Sequence, residues 1–165
     1  MTKFAKFLAA ILCLGGAFGT VLGAYLIFKS VNDTWFNLLI AIFFLCMFCW
    51  ATFVGVHLWK NTPFGRNWAP IVFLTQVPIV YSPTMIYVWF TGAQLAPLLK
   101  IHSGRTELTF IMNGGAGGQF YFNGGTAEVV FGLNVLAIFG VIYLVRSNYV
   151  SKKALLPDRD PESAP

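Results

Sequence analysis

LTQVPIVYSPTM, residues 74–85, places two prolines five positions apart among a glutamine, two threonines and a serine, inside a run with no charge from 67 to 99. The fold turns on how this stretch is read. Inside a helix, Pro78 would leave the carbonyl of Leu74 without its usual donor, and Pro83 would do the same to Ile79. In lipid an orphaned carbonyl is expensive unless another group satisfies it. Thr75, Gln76, Ser82 and Thr84 supply hydroxyls and an amide that could do so. The segment therefore reads as a kinked or partly opened membrane helix. On a helical wheel Gln76, Pro83, Tyr87 and Gln94 fall within about 40° of one another, with Thr91 beside them. Such a polar stripe faces protein or water, as a packing surface or as a path or pocket.

Outward from this stretch, the composition supports a membrane reading. The chain has 165 residues, 57% hydrophobic and 10% charged, where a soluble domain carries roughly 25% charged residues. Charges are absent from 7–28, 34–59, 67–99 and 129–145. A hydrocarbon core of about 30 Å needs roughly 20 helical residues. These gaps predict four transmembrane helices, at roughly Phe7–Phe28, Trp35–Trp59, Trp68–Ala96 and Ala127–Val145. The expected fold is an all-α, up-down four-helix transmembrane bundle over 1–149, followed by a disordered cytoplasmic tail at 150–165. A signal peptide is the alternative for the N-terminus, since Lys3 and Lys6 precede an apolar run, but that run continues to Phe28 and exceeds a usual signal core.

Counting basic residues orients the bundle. With the N-terminus inside, the inner side holds Lys3, Lys6, Lys60, Arg66, Arg146, Lys152, Lys153 and Arg159, against Lys29, Lys100 and Arg105 outside. Both ends are expected in the cytoplasm of a cell with an inner membrane. The net charge of +5 then reflects insertion, and nucleic acid is not an expected partner.

The outer loop, about 97–125, alternates through RTELTFIM and continues through NGGAGG to QFYFNGG. Asn-Gly between such runs predicts a β-hairpin with strands near 106–112 and 119–123. Its apolar face, Leu108, Phe110, Met112, Phe120 and Phe122, needs cover from the bundle, from lipid or from another protein.

On helix 1, Gly15, Gly19 and Gly23 recur every four residues beside Gly16 and Thr20, a face suited to close helix contact within the bundle or with a partner. Cys46 and Cys49 form a CxxC motif on helix 2. They read as small buried hydrophobes or, more weakly, as a soft-metal site. His57 lies about 12 Å along the axis from Cys49 and cannot join them on one ion. His102 reads as a solvated loop residue, Glu128 as the cap of helix 4, and Asn134 as an interhelical hydrogen-bonding group.

No acidic or basic residue lies within a span, with Glu128 at the outer start of the fourth. Proton- and ion-coupled carriers commonly place such residues in the membrane. No nucleophile–base–acid set can be assembled, and no cofactor is expected. The chain reads as a non-enzymatic accessory, assembly or interaction subunit whose partners are the bilayer and another membrane protein or itself. A small oligomeric channel or carrier using the polar helix 3 is the alternative.

Overall fold

The computed structural model describes residues 2–30, 35–102, 105–122 and 128–155. Along the chain run α1 (Lys3–Ser30), α2 (Trp35–Trp59), α3 (Pro63–Thr75), β1 (Pro78–Tyr81), β2 (Met85–His102), β3 (Arg105–Phe122), β4 (Val129–Leu133) and α4 (Val135–Leu155).

The first half follows the hydropathy. Helices α1 and α2 are long and apolar enough to cross a membrane. They pack along the glycine face of α1. A Cβ on Gly16 would strike Thr52 and Phe48, one on Gly19 would enter the Phe48 ring, and one on Gly23 would stand 3.2 Å from Leu45. Helix α2 ends where Asn61 takes a left-handed φ of 58°. Thr62 N donates to His57 O and Asn61 N to Leu58 O, satisfying the last carbonyls. The Thr62 hydroxyl then accepts from Gly65 N, with Pro63 at the first helical position, and starts α3.

The second half overturns the four-helix transmembrane bundle. The expected third helix, Trp68–Ala96, stops at Thr75, so α3 has 13 residues and spans only about 20 Å. The expected fourth, Ala127–Val145, begins as strand β4 and becomes helical only after Asn134. Between them lies an antiparallel four-stranded sheet, ordered β1-β4-β2-β3, in which β1 also pairs with β2. The physical reason is in the side chains. IVY and MIYVWFT are β-branched and aromatic, which favours strands, and the prolines bar a helix ladder across the interval. Pro78 opens β1, where a missing donor is tolerated, and Pro83 sits in the turn to β2. That turn is closed by Ser82, whose N donates to Met85 O at 2.9 Å and whose hydroxyl accepts from Met85 N at 3.0 Å. The Leu74 carbonyl is not orphaned, since Val77 N donates to it at 3.2 Å.

The expected hairpin is also corrected. Strands β2 and β3 pair along their whole lengths, from Met85↔Phe122 to His102↔Arg105. The ladder closes at His102↔Arg105, with 103–104 outside the described residues, and NGGAGG lies within β3. These glycines make room for aromatic rings. A Cβ on Gly117 would stand 2.6 Å from Phe90, and one on Gly118 2.5 Å from Phe44.

Gly92 and Gly115 face each other in the ladder, and both have positive φ, 79° and 110°. A paired glycine corner lets both strands turn together. Beyond it, Leu98–Ile101 of β2 pairs with β4, which pairs in turn with β1, while Tyr87 and Ile86 of β2 pair with β1. The sheet thus curls back on itself. Its corner rests on α1, where a Cβ on Gly92 would stand 2.5 Å from Ile11 Cγ2.

The four helices meet at the end opposite the sheet. The Thr2 hydroxyl contacts the Tyr143 hydroxyl, and Asn148 Nδ2 donates to Arg66 O at 2.7 Å. Of the tail expected to be disordered, residues up to Leu155 continue α4, and 156–165 lie outside the described residues.

Candidate functional site

The polar residues around the two prolines lie at the joint between α3 and the sheet. Gln76 is 1% exposed. Its Oε1 accepts from Thr91 N at 2.9 Å, and its Nε2 donates to Thr91 Oγ1 at 3.0 Å and to Val72 O at 3.3 Å. Tyr87 OH donates to Thr75 O at 2.7 Å. Asn134 Oδ1 accepts from Leu95 N and Ala137 N, tying β2 to the first turn of α4, while Asn134 N donates to Val77 O. Gln76, Thr91 and Tyr87 meet at a helix–strand joint and not on the one helical stripe expected. Pro83 stands apart in its turn, and Gln94 pairs with β3, accepting from Asn113 Nδ2 at 3.0 Å. Most of these bonds run to backbone groups or between Gln76 and Thr91.

Of the other expected sites, the α1 glycines are occupied within the chain. Gly16, Gly19 and Gly23 meet α2, and Gly15 meets the β2 backbone at Thr91–Gly92. Thr20 donates to Gly16 O at 2.9 Å and contacts Cys49 Sγ at 3.7 Å. Cys46 and Cys49 lie on a side of α2 that the rest of the protein leaves exposed. Among the described residues no three His, Cys, Asp or Glu side chains converge as metal ligands. His57 Nδ1 lies 3.2 Å from the Thr62 hydroxyl, its ring between Phe53 and Phe64.

The curled sheet has two unlike faces. On the outer one, register places Leu95 opposite Met112 and Leu99 opposite Leu108, with Phe131 beyond Leu99. Leu108, Phe110 and Met112 are 67%, 68% and 86% exposed. Phe120 departs from that set, because beyond the glycine corner it turns inward against Tyr87. Phe122 ends β3 opposite Met85.

The inner face opens into a cavity of about 650 Å³, lined by Leu98, Ile111 and Val130 and by Tyr81, Lys100, His102, Asn113 and Glu128. Lys100 and His102 follow Leu98 at strand spacing and so share its side of β2. His102 Nδ1 is 3.7 Å from a Glu128 carboxylate oxygen. Burial pushes the Tyr81 phenol above its ordinary value, so it stays a neutral donor at physiological pH. The sequence reading missed this group. It took His102 for a loop residue and Glu128 for a helix cap, whereas Asn134 holds the start of α4. The alternation Leu98, Lys100, His102 was the available signal. A second, apolar groove of about 370 Å³ runs between the C-terminal half of α1, the N-terminal half of α2 and the Ala116–Phe120 stretch of β3.

No family model matches the chain, and no curated protein or solved structure matches it.

Proposed function

We propose that the chain is a non-enzymatic integral membrane protein acting through protein–protein contact, as an accessory or interaction subunit whose docking element is β3. Membrane insertion is supported by the exteriors of α1 and α2. Only 39% and 33% of their apolar windows are buried within the protein, and residues such as Leu14, Phe18, Val21, Leu39, Ile42 and Phe43 face outward. A core helix of a soluble protein is mostly covered. The basic residues Lys3, Lys6, Lys60, Arg66 and Arg146 gather toward the end where the helices meet, which favours that end as cytoplasmic and an inner-membrane location.

One observation carries the docking role. Among the described residues β3 has a strand neighbour on one side only. Yet Gly115 lies against Phe18 and Gly118 against Phe44, both well inside the spans. Lipid offers no donors or acceptors to a bare strand edge. From Leu108 to Phe122 the edge also carries no proline and no charged residue, the usual devices against pairing. A chain in the same membrane that adds a strand to β3 and covers Leu108, Phe110 and Met112 meets both needs.

The test is a photo-cross-linking phenylalanine analogue at Phe110, activated in native membranes, with purification in mild detergent. A protein adduct of discrete mass supports the reading, and its mass tells a foreign subunit from a second copy. Adducts to lipid alone, with a monomer in mild detergent, would overturn it.

A further inference from the structure

The cavity inside the curled sheet holds both signs of charge above an apolar wall. Lys100 has no ion-pair partner among the described residues. Glu128 presents a carboxylate beside His102, and Tyr81 and Asn113 supply neutral donors. Behind Asn113, Gln94 is 1% exposed and its Nε2 has no hydrogen-bond partner among the described residues, an unusual state for a buried amide. A purely anionic ligand would meet Glu128, and a purely cationic one would meet Lys100. At about 650 Å³ the space falls in the range that takes a small molecule, roughly 300–1,000 Å³.

We infer that this cavity binds a zwitterionic amphiphile: an ammonium group against Glu128, an anionic oxygen group against Lys100, and an apolar body against Leu98, Ile111 and Val130. Two sources share that chemistry, the ethanolamine headgroup of a phospholipid and a free apolar amino acid. The lipid source rests on the membrane reading above; the free source does not.

The experiment uses the full chain in nanodiscs containing equal amounts of phosphatidylethanolamine and phosphatidylglycerol, with lipid adducts read by native mass spectrometry. Calorimetric titration with L-leucine forms the second arm. Lys100→Gln and Glu128→Gln each remove one charge at a half-exposed position, and Ile111→Trp fills the space while leaving both charges. Each lost charge-assisted bond weakens binding by about tenfold. Phosphatidylethanolamine retained about tenfold over phosphatidylglycerol, with the preference lost in all three variants, supports the lipid source. Leucine binding lost in the same variants supports the free source. No headgroup preference and no leucine binding, or binding indifferent to both charge variants, overturns the inference.

Discussion

Replacing Gly92 with alanine separates the curled sheet from a helical third span most sharply. In a helix, Gly→Ala stabilises by roughly 1 kcal/mol, because glycine leaves the backbone too free. In the structure Gly92 has a φ of 79°, where an alanine costs about 1–2 kcal/mol. Its Cβ would also stand 2.5 Å from Ile11 Cγ2 and 2.7 Å from Ile11 O. Relieving that overlap by moving β2 off α1 costs about 1–3 kcal/mol more. The expected loss is therefore roughly 2–5 kcal/mol, opposite in sign to the helical case. Gly114 is the control: a Cβ there meets nothing within 4 Å, so Gly114→Ala stays within about 0.5 kcal/mol. Reversible unfolding in mixed detergent micelles, followed by tryptophan fluorescence from the fully buried Trp89, measures both. A Gly92→Ala protein as stable as the parent, or more stable, refutes the glycine corner.

Three further outcomes follow from contacts in the fold. Gly19→Ala should cost about 1–3 kcal/mol, since its Cβ would enter the Phe48 ring, while Gly23→Ala, 3.2 Å from Leu45, should cost less; the same unfolding assay ranks them. Gln76→Leu strands the buried Thr91 N–H that Gln76 Oε1 now accepts from, a loss of about 1–3 kcal/mol that should exceed that of Thr75→Ala. Tyr81 keeps its proton above the ordinary phenol value because it is buried. Between about pH 10 and its higher folded value the native state holds a proton that the unfolded chain has lost, so stability falls as pH rises through that window. Tyr81→Phe should flatten this part of the unfolding-versus-pH curve and leave stability near neutral pH unchanged.

Sequence reasoning reached the first half of the fold because one physical signal dominates there. An uncharged run of helix-compatible residues between basic flanks predicts a span, and α2 begins at Trp35 and ends at Trp59 as expected. The glycine face of α1 was legible as a close contact, since missing side chains have few other uses in lipid. The second half was misread because absence of charge reports environment and not conformation. Residues 67–99 are as free of charge in a strand buried on both sides as in a helix. The β-branched and aromatic content of IVY and MIYVWFT was the competing evidence. The prolines were read as a kink within one helix, where the chain instead changes from helix to strand. NGGAGG misled for a related reason: glycines that tolerate a turn serve equally to admit Phe90 and Phe44. The charged mouth of the cavity stayed hidden because Lys100, His102 and Glu128 meet only through the pairing of β2 with β4.

Backbone chemical shifts of Met85–Ala96, measured by NMR on labelled protein in lipid, bear most directly on the whole account. The curled sheet, its cavity and its free edge all require this segment to leave the helical register after Thr75 and pair with β3. Strand-type Cα and carbonyl shifts through the segment, with cross-strand contacts between Trp89 and Gly118, are expected. Continuous helical shifts from Trp68 to Ala96 would contradict the curled sheet, and with it the cavity and the docking edge.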